Sequence, residues 1–305
     1  MAKNVLITGG TGLVGTRLTQ LLLQNGYQVS VVSRKKETLP HVTVYQWDVS
    51  RQWIEPGTVE QADYIIHLAG AGVADQRWTE ARKKEILDSR TESAELLHDT
   101  LVSTGHRPRA FVSASGISIY GDDRGDELLT ETSAYGNGFL AQVSKAWEAS
   151  AHTIAELGIR TVILRIGIVL SDQGGALAKI AAPVKLGAGA ALGSGKQWTS
   201  WIHIDDLCRL FIYALENDAL QGVYNAVGPH PDTNADLTRA TAQALDRPLI
   251  LPNVPGFALK LAFGELAATI LGSLKISNQK VTDAGFTYQF PELAKALADL
   301  YKVSA

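Results

Sequence analysis

Asn4-Val5-Leu6-Ile7-Thr8-Gly9-Gly10-Thr11-Gly12-Leu13-Val14-Gly15 lies near the start of the chain: an apolar run, three spaced glycines, and then apolar residues at helical spacing. Strand, glycine turn and helix in that order are the context in which such a turn holds a dinucleotide. Gly9 permits backbone torsions closed to other residues, and Gly12 lets the main chain approach a pyrophosphate. Gly15 allows helix and strand to pack closely, and the amides around Thr11, Leu13 and Val14 point the positive end of the helix at the phosphates.

Outward from this turn the same rhythm repeats. Valine- and isoleucine-rich runs at Gln28–Ser33, Val42–Gln46, Asp63–Leu68, Ala110–Ser115 and Arg160–Val169 alternate with longer segments of helical periodicity at Leu13–Gln24, Trp78–Thr104 and Phe139–Leu157. Each helical segment ends beside Gly26, Gly105 or Gly158, as C-terminal caps do. Apolar strands alternating with helices predict βαβ units in a doubly wound parallel α/β sheet, the Rossmann arrangement. After Leu170 the pattern loosens into the glycine-rich stretch 174–195, a strand-like Trp198–Ile204, a helix from Asp205 and a further strand at Val223–Val227. The expected organisation is therefore a nucleotide-binding domain over residues 1–228, with 171–203 contributing to a substrate cleft, and a small, mostly helical C-terminal lobe over 248–305.

The end of the second strand decides which dinucleotide. An acidic residue there would accept hydrogen bonds from the ribose hydroxyls of NAD, but the chain reads Ser33-Arg34-Lys35. A hydroxyl and two cations suit a 2′-phosphate, so the cofactor expected is NADP(H). Asp48, after the third run, is a candidate for the adenine edge, or simply caps a turn.

Composition narrows the classes further. The 305 residues carry a formal charge of −3, and no run of basic residues is longer than the three of Arg34-Lys35-Lys36, which argues against a nucleic-acid surface. One cysteine, Cys208, excludes an intramolecular disulfide and a cysteine-based metal cluster, so no metal is expected. Met1–Val5 has no signal-peptide pattern, which places the expected location in the cytoplasm. The most apolar stretch, 256–274, is interrupted by Lys260 and Glu265 and reads as one long amphipathic helix, with no membrane contact expected.

The sequence resembles the extended short-chain dehydrogenases/reductases, the superfamily of nucleotide-sugar epimerases and dehydratases. It is most similar to an epimerase-like subfamily with its own C-terminal domain. The resemblance rests on residues 8–15, His67-Leu68-Ala69-Gly70, Arg77-Trp78-Thr79 with Ser89-Arg90, Ser113-Ala114-Ser115, Leu164-Arg165, the segment Gly193–Asp206 and Ala284-Gly285-Phe286. It implies NADP(H) along the strand ends, with Ala69 and Gly70 beside the adenosine-ribose path and Leu68, Arg90, Ser113 and Arg165 among the cofactor-binding residues. It likewise implies Gly167–Leu170, with Gly167 and Val169 as cofactor-binding residues, near the nicotinamide, and a small-molecule substrate against the C-terminal lobe. By the same resemblance a homodimer through the two long helices is expected.

In that superfamily a serine and a Tyr-x-x-x-Lys pair carry the chemistry, the lysine lowering the tyrosine pKa and the tyrosine exchanging a proton with the substrate oxygen. None of the tyrosines here has a lysine four residues later. Leu140 stands where the tyrosine belongs and Ser144 where the lysine belongs, while Lys145 is displaced by about 100° around the helix. The usual serine position is also shifted: Ser115 lies five residues before Tyr120, and Gly116 fills the expected place.

Ser115, Ser118, Lys145 and His203 are the remaining catalytic candidates, each with a plain structural alternative: a strand-end serine caps turns, and a histidine between Ile202 and Ile204 is commonly buried. Arg77, Trp78, Ser115, Gln142, Trp198 and Trp201 are the substrate-side candidates. Tryptophan faces could stack on a ring, and Arg77 and Arg90 could bind an anionic group or pair with Asp75 or Asp88. Asp205 most simply caps the following helix. The expectation is an NADP(H)-dependent oxidoreductase or epimerase acting on a small carbonyl or hydroxyl compound, sugar-nucleotide-like substrates included. The alternative is an NADPH-binding sensor without catalysis.

Overall fold

The computed structural model describes residues 2–301; Met1 and residues 302–305, which the sequence-based domain bounds include, lie outside the described residues. In the first half run β1 (Asn4–Thr8), α1 (Leu13–Gln24), β2 (Gln28–Ser33), β3 (Val42–Asp48), β4 (Trp53–Ile54), β5 (Tyr64–His67), α2 (Glu80–Thr104), β6 (Ala110–Gly116), β7 (Leu128–Leu129) and α3 (Phe139–Glu156). There follow β8 (Thr161–Ile166), β9 (Ile168–Leu170), α4 (Gly175–Lys185), β10 (Trp198–Thr199), β11 (Trp201–His203), α5 (Ile204–Glu216), β12 (Gly222–Ala226), β13 (Asp232–Thr233) and α6 (Asn234–Ala244). The chain closes with α7 (Gly256–Phe263), α8 (Leu266–Leu271), β14 (Lys275–Ile276), α9 (Gln279–Asp283) and α10 (Leu293–Tyr301).

Eight strands form the central sheet in the order β12-β8-β6-β5-β1-β2-β3-β4. Every neighbouring pair is parallel except the β3–β4 edge. Because side chains alternate across a strand, each buried run feeds two cores. Val5, Ile7, Val31, Ile66, Val112 and Val162 point into one with α1 and α5. Leu6, Val32, Ile65, Phe111 and Ile163 point into the other, with Leu97 of α2 and Ile154 of α3. The closing helix α10 inserts Leu293, Leu297 and Leu300 into the first core, so the C-terminal segment is helical but stitched to the sheet domain. The β14 strand also pairs with β7.

Three expected elements are divided, each for a local reason. The run Arg160–Val169 breaks at Gly167, where a Cβ would lie 2.4 Å from the Ser200 carbonyl oxygen; β9 leaves the sheet and pairs with β11. The strand-like Trp198–Ile204 breaks at Ser200, whose hydroxyl donates to the Leu274 carbonyl at 2.8 Å and accepts from the Ile276 amide at 3.0 Å. The single helix expected over 256–274 is two, because Gly264 adopts φ +60°. Among the described residues no helix is long and apolar enough to cross a membrane, and no cluster of ligating side chains could hold a metal.

Beneath the strand ends lies a buried ion pair. Arg165 of β8 forks onto Glu148 of α3, Nε to Oε1 at 2.8 Å and Nη2 to Oε2 at 2.9 Å. Its Nη1 donates to Tyr120 Oη at 2.9 Å, and that hydroxyl donates to Asn225 of β12 at 2.7 Å. Both charges are almost fully buried. Removing Glu148 would leave a buried cation without its counter-charge, so Glu148→Ala is expected to cost about 3–5 kcal/mol, seen as a lower urea midpoint, with Glu148→Gln losing less because it keeps an acceptor.

Candidate cofactor and substrate site

The turn between β1 and α1 has the shape its glycines demand. Gly9 sits at φ +71°, and a Cβ there would come within 2.9 Å of the Leu68 main chain. A Cβ on Gly15 would lie 2.4 Å from the Gly9 carbonyl oxygen, and one on Gly10 2.6 Å from a Val31 methyl, so Gly10 is also required to be bare. The Gly12 amide donates to Gly9 O at 3.0 Å. Gly12 caps α1 with no side-chain hydrogen bond and no acidic residue follows in the first turn. The first amides of α1 are thereby left to an outside acceptor, and an anion such as a pyrophosphate fits this cradle.

At the neighbouring strand end Ser33 is buried and its Oγ accepts the Lys35 amide at 3.3 Å. Arg34 and Lys35 are exposed, and the Arg34 guanidinium has no protein acceptor among the described residues. Asp48 caps the turn after β3, accepting from Ser50 Oγ at 2.6 Å and the Arg51 amide at 3.3 Å; the Ser50 hydroxyl holds its carboxyl below the usual range.

Leu68, Ala69 and Gly70 follow β5, with the Ala69 amide donating to Thr8 Oγ1 at 3.3 Å. Arg90 crosses directly over Gly70, where a Cβ would meet its Cζ at 2.9 Å. It pairs with neither Asp75 nor Asp88, which are taken by Arg82 and Lys84. Its Nη1 instead donates to Ala71 O at 3.0 Å and Ile86 O at 2.8 Å, and its guanidinium lies 4.8 Å from the Trp147 ring centre. Burial, aided by the nearby Arg82 charge, brings its pKa down to about 10. A buried cation without a carboxylate partner, set beside the glycine path, is a ready anion contact.

Two hydroxyls meet at the end of β6. Ser118 Oγ lies 3.0 Å from Ser144 Oγ of α3, beside the bare Gly116. Three residues expected in this site are turned elsewhere. Ser115 donates to Glu148 at 2.8 Å and is buried in the ion-pair network. Arg165 is consumed by that network, and Ser113 is fully buried, bonded to Ala114 O at 3.0 Å. Lys145 donates to Gly136 O at 2.8 Å, and its Nζ sits 5.6 Å from the Tyr135 ring centre. Tyr135, for which the sequence offers no positional signal, is thus set between Lys145 and Arg165, the latter 5.4 Å away. Gly167 lies between β8 and β9, Val169 is the middle of β9, and Gln142 is exposed on α3.

On the substrate side, Arg77 is exposed and lies against Gly264, whose Cβ position is 3.3 Å from its Nε. Trp78 donates to Val73 O at 2.7 Å and meets Phe139 edge-on at 5.0 Å. Trp198 donates to Asp126 at 2.6 Å beneath Lys275. Trp201 is core, its Nε1 bonded to Asp232 at 2.7 Å. His203, and not Asp205, caps α5: its Nδ1 accepts the Asp205 amide at 3.1 Å, while the Asp205 carboxylate grips Arg17 at 2.6 Å. Burial pushes the His203 imidazole below its usual pKa. It lines a cavity of about 700 Å³ together with Thr11, Gly12 and Leu13 of the glycine turn and Asp299 of α10, and Ser118 and Ser144 are not among that cavity's walls.

Residues 5–227 match the NAD dependent epimerase/dehydratase family. The chain belongs to that family. Residues 254–300 match a domain of unknown function, DUF1731. The chain is 37% identical over 299 residues to the epimerase family protein SDR39U1 of Mus musculus, covering 97% of this chain and 99% of the relative. It is 33% identical over 304 residues to the epimerase family protein SSP1921 of Staphylococcus saprophyticus, covering 98% and 99%. The crystal structure of human SDR39U1 (isoform 2) with NADPH superimposes at a TM-score of 0.88 with 32% identity, covering 99% of this chain and 100% of that one.

In this epimerase-family chain His67 underlies the glycine turn, its Nδ1 2.8 Å from Thr8 Oγ1 and its ring stacked on Phe111. Burial, with a smaller effect from the Arg90 charge, lowers its pKa from 6.5 to about 4. Between those values the unfolded chain takes up a proton that folded His67 refuses. Stability is therefore complete above the upper value and falls by up to about 3 kcal/mol as the pH drops through the window. Urea titrations from neutral pH to about pH 4.5 are expected to show this loss in the parent, and a shallower slope in His67→Asn.

Proposed function

We propose that the chain is an NADPH-dependent oxidoreductase or epimerase for a small carbonyl or hydroxyl compound. The observation that carries this is the juxtaposition of an uncapped glycine turn with exposed Arg34 and Lys35 at one end of the strand-end cleft and the paired hydroxyls of Ser118 and Ser144 at the other. The NADPH bound to human SDR39U1 supports the choice of cofactor. In this reading Gly9, Thr11, Gly12, Leu13, Val14 and Gly15 hold the pyrophosphate. Ser33, Arg34 and Lys35 hold the 2′-phosphate, and Arg90 adds a cation along the path. Bound NADPH supplies hydride chemistry at its nicotinamide.

The chain's own part is to manage the substrate oxygen. Of two hydroxyls 3.0 Å apart, one donates to the other, which leaves one O–H free to donate outward. A serine pair polarises a carbonyl less strongly than an activated tyrosine transfers a proton, so slow turnover is expected, about 10²- to 10⁴-fold below an enzyme with a full general acid. Tyr120 is nearer in the chain but is buried in the Arg165 network, whereas Tyr135, held beside Lys145, is an exposed phenol. The missing Tyr-x-x-x-Lys pair also favours a second reading, an NADPH-binding sensor without turnover.

Fluorescence titration is expected to give much tighter binding of NADPH than of NADH, with Arg34→Asp cancelling the preference at a cost of about 1.5–3 kcal/mol in NADPH affinity; equal affinities in the parent would overturn the assignment. A screen of carbonyl compounds for NADPH oxidation tests catalysis. Ser118→Ala and Ser144→Ala are expected to lower kcat while leaving cofactor affinity intact. Tight NADPH binding with no turnover on any compound would instead support the sensor.

A further inference from the structure

The start of α5 and the glycine turn share a wall. His203 is 1% exposed and caps α5 through Nδ1, which accepts the Asp205 amide at 3.1 Å. A ring nitrogen that accepts carries no proton, so the neutral imidazole bears its hydrogen on Nε2. That N–H has no hydrogen-bond partner among the described residues and faces Asp299 Oδ2 of α10 at 3.4 Å. The Phe290 ring packs on the imidazole, centres 4.0 Å apart.

From the cap, contacts run to the cofactor side. The Asp205 carboxylate takes Arg17 of α1 in a fork, Nε to Oδ1 at 2.6 Å and Nη2 to Oδ2 at 2.7 Å. Arg17 lies one turn beyond Leu13, and Arg17, Asp205 and His203 line the same cavity as Gly12 and Leu13. One turn further along α5, Cys208 rests on the Val14 carbonyl, sulfur to oxygen 3.8 Å.

A proton on His203 undoes this arrangement. The imidazolium carries N–H at both nitrogens, so Nδ1 meets the Asp205 amide donor to donor and the cap is lost. The new charge also sits at the positive end of the α5 dipole, with the Arg17 cation nearby. Most of the acids around the ring are already engaged: Asp205 by Arg17, Asp206 by Arg209 and the Gln289 and Phe290 amides, and Asp172, across the cavity, by the Gln173 side chain. Asp299, half exposed and in no other ion pair among the described residues, is the counter-charge left. Burial holds the imidazole below its usual pKa, so the uncharged, capping form is the one present at neutral pH.

We propose that His203 is a positioning residue of the cofactor site: uncharged, it caps α5 and sets Asp205 and Arg17 beside the glycine turn; protonated, it turns to Asp299 and loosens the turn's hold on the dinucleotide. Resting on the cofactor reading above, this makes NADP(H) affinity proton-linked, and bound cofactor in return holds His203 uncharged to lower pH.

Calorimetric titration of the full chain with NADP+, which tolerates acid, is expected to show affinity falling from about pH 7.5 to about pH 5, by up to about fivefold more than in His203→Asn, whose side chain caps without titrating. The 2′-phosphate takes up a proton in the same range in both proteins, so the difference between them is the readout. At neutral pH His203→Ala is expected to bind about fivefold more weakly, and His203→Asn to recover that loss. Asp299→Asn is expected to move the step to lower pH. By NMR, the His203 titration is expected to move to lower pH on saturation with NADP+. Parallel profiles in the parent and His203→Asn overturn the proposal, as does a His203 titration that NADP+ leaves in place; the parent profile and the NMR titration decide even where His203→Ala does not fold. A parent that binds no NADP+ at neutral pH overturns the cofactor reading itself, and this inference with it.

Discussion

The Arg165–Glu148 pair governs much of what lies above it. Two opposite charges removed from water must satisfy one another and their remaining hydrogen bonds within the protein. Arg165 therefore also takes Tyr120 and the Glu131 carbonyl, and Glu148 also takes Ser115. These bonds join β6, β8, α3 and the loop after β6, and through Tyr120 they reach Asn225 on β12. The floor of the cleft is thereby held rigid. The cost falls on Ser115, whose hydroxyl is committed to the network and withdrawn from any substrate.

That withdrawal gives Ser118 and Ser144 their significance. With Gly116 bare and Leu140 in place of a phenol, the hydroxyl pair is what α3 and the end of β6 offer at this point. The cofactor half keeps the full physical apparatus of dinucleotide binding: close helix–strand packing, uncapped amides and cations at the second strand end. One half of the site thus keeps the glycine-turn geometry, while in the other Leu140 and Ser144 stand where the superfamily pattern has tyrosine and lysine.

Helix α4 and the turn between α7 and α8 reach back to the segment after β5 and the start of α2. Lys179 of α4 donates to Ala74 O at 2.5 Å, Lys83 of α2 holds Glu265, and Arg77 rests on Gly264. The contacts at Gly264 and Glu265 hold the α7–α8 turn against the nucleotide domain, while Phe257 and Leu261 of α7 stay exposed. Burial of α10 in the first core further ties residues 293–301 to the sheet. The two matched sequence families are accordingly physically interdependent.

Local chemistry alone determined the alternation of strands and helices, and with it the doubly wound sheet. The bounds of β1, α1 and β2 were readable because apolar periodicity and glycine punctuation act within a few residues. The glycine turn and the basic Ser33-Arg34-Lys35 were readable for the same reason, and so was the missing tyrosine–lysine spacing. Only the tertiary structure decided that Ser115 and Arg165 serve the core, that Arg90 lacks a carboxylate partner, that His203 caps α5, and that Tyr135 lies beside Lys145. Each of these depends on groups distant in the chain, whose meeting is set by packing of the whole molecule; so are the breaks at Gly167 and Ser200, which arise from backbones that the sequence separates by some thirty to seventy residues.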